Sequence, residues 1–254
     1  GTHNFLLYMK LNYYIVNPGG NITAIAYGKF AKKIKSKITK NILENNKIVE
    51  QVGFWTNTKK RKIDAKLEMA GGEFCGNALR SLGAILSSCK KKKFYLVKSS
   101  SVKMPIKLNS SNKFSAVTLK LNLFRYQKNV CSIPGIKHFL SQEKFSKLTA
   151  LKTLNKNGLV NNKASGIISY EKINTNRYSI TPFVYVRDTK TLYEETSCGS
   201  GTLALAYILY KNKNIKQLDV KQPSGFILKT LITNDEIKLS GQIVSIEKKT
   251  INIL

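Results

Sequence analysis

Two cysteines, each followed by a glycine and a further small residue, are the residues of this chain best suited to chemistry. The first lies in Gly72-Glu73-Phe74-Cys75-Gly76-Asn77-Ala78, and the second in Glu195-Thr196-Ser197-Cys198-Gly199-Ser200-Gly201-Thr202. When the two cysteines are aligned, the apolar residues Leu82, Ile85 and Leu86 fall on Leu205, Ile208 and Leu209. The chain therefore contains a weak internal repeat of long period.

Each motif predicts a loop that ends at its cysteine and opens a helix, because small polar residues precede an apolar run. Free backbone N–H groups and the helix dipole stabilise an anion at a helix N-terminus, which favours the thiolate forms of Cys75 and Cys198. The N–H groups of the same turns can also hold a carboxylate. The residues concerned are Gly76, Asn77, Gly199 and Ser200.

The remaining residues exclude several reaction classes. His138 is the only histidine beyond residue 8 and lies in an unremarkable segment, so we expect neither a Ser-His-Asp triad nor a histidine metal site. Cys89 and Cys131 are expected to be packing residues, and no Cys-x-x-Cys pair occurs. The sequence also lacks a Walker or Gly-x-Gly-x-x-Gly loop. We predict a cysteine-based mechanism without metal or other cofactor.

The net charge of +29 raises the alternative of a non-catalytic protein that binds polyanions. Lysine supplies most of this charge and is spread along the chain, whereas phosphate and base contacts favour arginine. We therefore expect a solvated basic surface, with no nucleic-acid or membrane partner. Because neither a membrane-spanning apolar run nor a signal-peptide pattern is present, a cytoplasmic location is expected. Residues 1–8, which precede Met9, are interpreted as an expression scar.

The hydrophobic pattern predicts a mixture of strands and helices. Predicted strands are Leu11 to Val16, Ile22 to Tyr27, Ile48 to Phe54, Lys66 to Met69, Phe94 to Val97, Met104 to Leu108, Ala116 to Leu123, Ala164 to Tyr170 and Tyr178 to Val186. Amphipathic helices are predicted from the spacing of Phe30, Ile34, Ile38 and Ile42, and of Phe145, Leu148, Leu151 and Leu154. A linker is expected at Asn109 to Lys113, and antiparallel strands over Asp219 to Leu254. These elements indicate an α+β protein of two similar halves with a cleft between them.

Taken together, the motifs resemble those of the diaminopimelate epimerase superfamily over Met9 to Leu254. The two cysteine motifs resemble its paired cysteine segments, Asn17-Pro18-Gly19-Gly20-Asn21 its Gly-Asn turn, and Glu50-Gln51-Val52-Gly53-Phe54 its glutamine segment. Together with Gln222-Pro223-Ser224-Gly225, the cysteine motifs are most similar to those of the cofactor-independent histidine racemases.

The resemblance implies two pseudo-symmetric halves, each a sheet wrapped around a central helix, with the substrate between the two helix N-termini. We expect residues 9–113, joined by a last strand at 246–254, to form one half and residues 114–245 the other. The implied reaction inverts an amino-acid α-carbon without pyridoxal phosphate. One of Cys75 and Cys198 removes the α-proton as a thiolate, and the other returns a proton as a thiol. Asn21, Gln51 and Glu195 join the four helix-start residues as predicted substrate-binding residues.

Departures from the family pattern bear on the substrate. The segment before Cys198 lacks the arginine that in diaminopimelate epimerases holds the distal carboxylate, which favours histidine. Glu195 is suited to accept hydrogen bonds from the substrate α-amino group. Diaminopimelate or another amino acid remains the alternative substrate. The expected partner is thus a small amino acid, and the oligomeric state, with a homodimer as one alternative, is left open.

Overall fold

The structure, a computed structural model, describes residues 9–59 and 62–253. Within this part of the chain, seventeen strands form one mixed sheet and four α-helices accompany it. The expected α+β class is confirmed. The interpretation of residues 1–8 as an expression scar falls outside the described residues. No helix in the described part is long and apolar enough to cross a membrane.

The helices are α1 (Lys32–Asn45), α2 (Gly76–Lys90), α3 (Lys147–Lys156) and α4 (Gly199–Lys213). The first strands are β1 (Met9–Asn17), β2 (Thr23–Tyr27), β3 (Gln51–Thr56), β4 (Ala65–Met69), β5 (Phe94–Ser99), β6 (Val102–Ser110), β7 (Phe114–Lys120), β8 (Arg125–Gln127) and β9 (Val130–Ile133). The others are β10 (Ile136–Ser141), β11 (Ala164–Asn174), β12 (Arg177–Val186), β13 (Thr191–Glu194), β14 (Gln217–Lys221), β15 (Ile227–Thr233), β16 (Glu236–Gln242) and β17 (Ser245–Ile253).

Two of the helices are interior elements. All eleven residues from Gly76 to Leu86 of α2 are buried, and α4 is buried from Gly199 to Ala206. A helix buried on all sides needs mostly apolar or small residues around its circumference, which both cysteine helices have; the exceptions in α2, Asn77 and Arg80, are hydrogen-bonded. Their leucines and isoleucines belong to one core cluster. In contrast, α1 buries only Ile38 and Ile42, as expected for an amphipathic helix at the surface.

The sheet is mostly antiparallel, with parallel pairs where a longer segment joins two strands. The parallel pairs are β2 with β3, β4 with β5, β10 with β11, and β12 with β14. Helix α1 lies between β2 and β3 in sequence, and α2 lies between β4 and β5. Parallel strands can be joined only by a crossover segment. Each cysteine helix belongs to such a segment, since α2 lies between β4 and β5 and α4 lies between β12 and β14.

One predicted feature differs from the observed structure. Residues 109–113 do not form a linker, because Ser110 ends β6 and Phe114 begins β7, and the two strands pair as an antiparallel hairpin. A short polar segment rich in Ser and Asn is typical of both a tight turn and a linker, and pairing decides between them. The last strand, β17, pairs with β1 along nine positions, from Asn17 with Ser245 to Met9 with Ile253.

Candidate active site

Both cysteines are the N-cap residues of their helices. Cys75 has φ −133° and ψ 109°, and its sulfur accepts a hydrogen bond from the Ala78 N–H at 3.3 Å. Cys198 has φ −129° and ψ 102°, and its sulfur accepts from the Gly201 N–H, also at 3.3 Å. An N-cap side chain that accepts from the first turn satisfies one of the unpaired helix donors. The two sulfurs therefore have matching backbone environments.

The two helix N-termini meet directly. A Cβ placed on Gly199 would lie 3.1 Å from the Asn77 nitrogen and 3.2 Å from the Gly76 Cα. A Cβ on Gly76 would lie 3.5 Å from the Gly199 Cα. The contact is tight at Gly199, where a side chain would crowd the backbone of α2, whereas the distance from Gly76 is an ordinary van der Waals contact. The positive ends of α2 and α4 therefore lie together in one place, at these two glycines.

A turn after β1 supplies the third side of the site. Gly19 and Gly20 have positive φ, as does Asn21 at 50°, so the chain reverses sharply here. The Asn21 side-chain amide donates to Glu195 Oε1 at 3.2 Å, and its backbone N–H donates to Thr196 Oγ1 at 2.7 Å. The turn therefore fixes the segment that precedes Cys198.

A glutamine contacts each cysteine, Gln51 from the start of β3 and Gln222 from the loop after β14. The Cys75 thiol donates to Gln51 Oε1 at 3.2 Å, while Gln51 Nε2 donates to the hydroxyl of Thr23 at 2.7 Å. On the other side, the backbone N–H of Cys198 donates to Gln222 Oε1 at 2.9 Å. Gln51 thus contacts the sulfur of Cys75, whereas Gln222 holds the backbone of Cys198. Gln222 belongs to the Gln-Pro-Ser-Gly motif, but the sequence gives it no role.

Asn77 and Arg80 tie α2 to several neighbouring segments. Asn77 Nδ2 donates to the carbonyl of Ser197 at 3.2 Å, directly before Cys198. Arg80 is fully buried and donates to Asn77 Oδ1, to the carbonyls of Pro18 and Ser115, and to a fourth acceptor, the carbonyl of residue 242. Burial lowers the pKa of Arg80 to about 9. Because these acceptors occupy its guanidinium, Arg80 is a structural residue of the described site.

The thiols are far less acidic than free cysteine. Burial, and then the negative charges of Glu195 and Glu73, raise the pKa of Cys75 to about 12. Burial and the charge of Glu195 also raise the pKa of Cys198 well above its usual value. The helix-start N–H groups act in the opposite direction, but desolvation is the larger effect. The expectation that the helix N-termini give low-pKa thiolates is therefore wrong, because desolvation outweighs them.

Three glutamates converge on this site in a protein whose formal charge is +29. Burial, followed by the charges of Glu50 and Glu73, raises the pKa of Glu195 to about 7. Burial also raises the pKa of Glu73, whose Oε2 is buried without a hydrogen-bond partner. Glu50 accepts from the Thr196 hydroxyl at 2.6 Å. Among the described residues, no lysine or arginine forms an ion pair with any of the three.

His138 enters the site from β10, which the sequence did not indicate. Its Nε2 lies 2.8 Å from Ser200 Oγ, and Ser200 Oγ lies 3.5 Å from Cys198 Sγ. The prediction that His138 lies in an unremarkable segment is therefore wrong. His138 and Ser200 are 62 residues apart, so no local pattern relates them.

All of the predicted site residues lie in this connected set. Asn21 contacts Glu195, Gln51 contacts Cys75, Ser200 contacts Cys198, and Gly76 approaches Gly199, with Asn77 beside them. Their predicted roles toward a substrate remain predictions. In the described part of the chain, no group of three or more His, Cys, Asp or Glu side chains is arranged to hold a metal ion.

Comparison with known proteins identifies the family. The family model described as the histidine racemase CntK N-terminal domain matches residues 10–112 and 89–249. A histidine racemase from Fusobacterium nucleatum is 33% identical over 96% of this chain and 97% of its own length. The chain belongs to the histidine racemase family. A histidine racemase from Staphylococcus aureus is 24% identical over 84% of this chain and 86% of its own.

The fold is shared more widely than the sequence. A hydroxyproline epimerase from Agrobacterium vitis, solved with bound trans-4-hydroxy-L-proline, superposes with a TM-score of 0.67 at 11% identity. The superposition covers 96% of this chain and 92% of the epimerase. At this identity the likeness concerns the fold alone. The resemblance to histidine racemases derived from the cysteine motifs is confirmed, and the protein is an isomerase of that family.

Proposed function

We propose that this protein interconverts L-histidine and D-histidine, with Cys75 and Cys198 as the two groups that exchange a proton with the α-carbon. The observation that carries the proposal is the pair of cysteine N-caps on two buried helices whose N-termini touch. Inversion by two bases needs an acid and a base of similar strength on opposite faces of one carbon. Equivalent positions on two helices supply such a pair without any cofactor.

The raised thiol pKa values fit this chemistry. An amino-acid α-proton is weakly acidic, so a sulfur of raised pKa is a stronger base once it is ionised. Glu195 disfavours ionisation of both sulfurs. The α-ammonium group of a bound amino acid, placed against Glu195, neutralises that charge and lowers the cost of forming one thiolate. Substrate binding thereby prepares the base.

The substrate carboxylate is held by the first N–H groups of the two helices. No hydrogen bond in the described structure uses the N–H groups of Gly76, Asn77, Gly199 or Ser200. As the α-proton leaves, negative charge moves onto the carboxylate, and fixed donors stabilise it in a site with little water. Cys198 is only 3% exposed and Ser200 only 5%, whereas Cys75 and Glu195 are half-buried, so the site is closed to solvent on its Cys198 side. One such donor contributes about 10²-fold to the rate.

The acidic surroundings favour a basic side chain on the substrate. Glu195 interacts with both Glu50 and Glu73, and none of the three forms an ion pair with a lysine or arginine in the described structure. Diaminopimelate would bring a second carboxylate to these glutamates, and Arg80, the arginine near Cys75, already donates to neutral acceptors. Histidine instead brings an imidazole and an ammonium group. We therefore propose histidine as the small-molecule partner.

We further propose that the chain folds as two pseudo-symmetric halves, each with one cysteine helix at its centre. The boundary between residues 113 and 114, and the return of residues 246–254 to the first half, belong to this proposal. It is supported by the matching N-cap geometry of Cys75 and Cys198 and by one family model that matches two successive segments. The pairing of β17 with β1 supports the placement of the last strand.

Proton exchange at the α-carbon tests the reaction and the substrate together. The protein is incubated in D₂O under reducing conditions with L-histidine, with other L-amino acids and with diaminopimelate, and loss of the α-proton signal is followed by NMR. We expect exchange with histidine and the appearance of D-histidine without added pyridoxal phosphate. Exchange with diaminopimelate but not with histidine would overturn the proposed substrate. Absence of exchange with every compound would overturn the proposed reaction.

A further inference from the structure

The buried imidazole of His138 forms the end of a three-residue chain of hydrogen bonds that leads to one of the two sulfurs. His138 is 0% exposed and lies in β10, where it pairs with Gly166 of β11. Its Nε2 is 2.8 Å from Ser200 Oγ, which in turn is 3.5 Å from Cys198 Sγ. Because hydrogen bonds to sulfur are longer than those to oxygen, the second distance is within bonding range.

The second ring nitrogen decides the direction of this chain. Nδ1 of His138 is buried and has no hydrogen-bond partner. Burial lowers the pKa of His138 to about 3, so the ring is neutral and carries one N–H. A buried N–H without an acceptor is rarer in proteins than an unpaired acceptor, which places the proton on Nε2. Nε2 then donates to Ser200 Oγ, and the Ser200 hydroxyl keeps its own proton to donate elsewhere.

The acceptor that remains for this hydroxyl is the sulfur of Cys198. We propose that His138 is a positioning residue that orients the Ser200 hydroxyl as a hydrogen-bond donor to the Cys198 thiolate. The inference rests on the proposed function, since it assumes that Cys198 acts as a base in one direction of the reaction. His138 touches neither the substrate nor the sulfur, and it acts through Ser200.

The other groups around Cys198 explain why such a donor matters. Burial and the carboxylate of Glu195 raise the pKa of Cys198, and Glu195 is the charged group that faces it from the preceding loop. Glu73 faces Glu195 from the loop before α2. The Gly201 N–H and the Ser200 hydroxyl favour the thiolate. Removing one of these two donors therefore shifts the balance toward the thiol.

The sulfur of Cys75 has a different side-chain partner, an amide in place of a hydroxyl. Cys75 donates to the amide oxygen of Gln51 at 3.2 Å, and the amide nitrogen of Gln51 is committed to Thr23. The two cysteines therefore share their helix-cap geometry but differ in their side-chain partners. This difference makes the two directions of proton transfer unequal.

Three variants test this assignment. Ser200→Ala removes the donor, His138→Met removes the group that orients it while filling similar space, and His138→Gln keeps an N–H near the position of Nε2. Since a hydrogen bond to a charged group contributes about 1.5–3 kcal/mol, the first two are expected to lower kcat/KM about 10- to 100-fold. His138→Gln should recover part of the loss. Ser165→Ala, which removes an unpaired buried hydroxyl on the neighbouring β11, is the matched control and should leave turnover unchanged.

The kinetic readout separates positioning from general damage. Because L- and D-histidine have equal free energy, kcat/KM must fall equally in both directions. The fall in kcat should be larger in the direction in which the Cys198 thiol gives its proton to the α-carbon and becomes a thiolate. His138→Met should add no further loss when Ser200 is already alanine, since both changes remove the same interaction. Equal losses of kcat in both directions, or additive losses in the double variant, would overturn the inference.

A second readout does not depend on turnover. The rate at which iodoacetamide alkylates Cys198, followed by mass spectrometry as a function of pH, reports the pKa of its thiol. The midpoint should move to higher pH in Ser200→Ala and His138→Met but not in Ser165→Ala, with the Cys75 midpoint unchanged. An unmoved Cys198 midpoint would contradict the inference while leaving the racemase proposal intact. Failure of the unmodified protein to racemise histidine would instead count against the proposed function.

Discussion

At the scale of single residues, Glu195 links the two reacting groups. Its charge raises the pKa of both cysteines, and its own carboxyl hydrogen-bonds with Cys198 and with the amide of Asn21. Under the proposed function, Glu195 would influence the base, the acid and the substrate ammonium group at once. Its ionisation state would then control the binding of that ammonium group.

The pH dependence of turnover should report this ionisation. Burial raises the pKa of Glu195 to about 7, so the carboxyl is largely protonated below that pH and ionised above it. We expect kcat/KM for histidine to rise with pH through this range, because only the carboxylate attracts the α-ammonium group. Glu195→Gln should lower kcat/KM about 10- to 100-fold by removing a charged hydrogen bond.

The substrate imidazole titrates in the same range, and the variant separates the two ionisations. In steady-state pH profiles, the part of the rise that belongs to Glu195 should disappear in Glu195→Gln, while the part that belongs to the imidazole should remain. An unchanged profile in Glu195→Gln would show that this carboxyl does not control binding.

The site residues that were identified from the sequence all lie in short motifs that can be recognised locally. Cys75 and Cys198 are recognisable because a Cys-Gly step followed by an apolar run is readable within a few positions. His138 and Gln222 act on Ser200 and Cys198 from 62 and 24 residues away, so their roles depend on strand pairing that no local pattern encodes. The thiol pKa values also could not be predicted from the sequence. The helix N-terminus, which lowers a thiol pKa, is visible in the local sequence, but desolvation by distant segments raises the pKa by more.

At the scale of secondary structure, the site depends on how closely two helices approach. Their N-termini meet at Gly76 and Gly199, and a side chain at Gly199 would crowd the backbone of α2. The strands and both cysteine helices were largely predictable from hydrophobic periodicity, whereas the turn at residues 111–113 was mistaken for a linker. Periodicity reports which residues are buried, but it does not report which strands pair.

Substitution of the second of these glycines tests the contact. Gly199→Ala would place a methyl group 3.1 Å from the backbone nitrogen of Asn77, which cannot move without shifting α2. Gly76→Ala would meet the end of the Leu239 side chain, at 2.8 Å, which can rotate away. We therefore expect a larger fall in kcat for Gly199→Ala than for Gly76→Ala, with the unfolding temperature measured for each. The reverse order would mean that the helix contact does not set the site geometry.

At the scale of the whole molecule, the basic surface and the acidic site are separate features. The formal charge of +29 comes from lysines along the chain, whereas three glutamates converge on the cysteines. A histidine racemase is 33% identical over nearly the full chain, which favours the racemase interpretation and not the polyanion-binding alternative. The fold itself extends to a protein only 11% identical, so the architecture is shared more widely than the sequence.

The whole molecule is needed because each end of the chain contributes to one site. Arg80 of α2 donates to the carbonyls of Pro18, Ser115 and residue 242, and so joins the first loop, the middle strands and the last part of the chain. Gln222 holds the Cys198 backbone from the loop after β14. Neither cysteine could be placed opposite the other by its own segment alone.

The most direct test of the account is racemisation by the two single variants Cys75→Ser and Cys198→Ser, assayed with L-histidine and with D-histidine. A serine hydroxyl is far less acidic than a thiol, so it cannot replace either the base or the acid. The account predicts that each variant remains folded, as judged by circular dichroism, and loses racemisation in both directions by about 10³-fold or more. Retention of racemisation by either variant would contradict the two-base assignment, because inversion would then need only one of the two sulfurs.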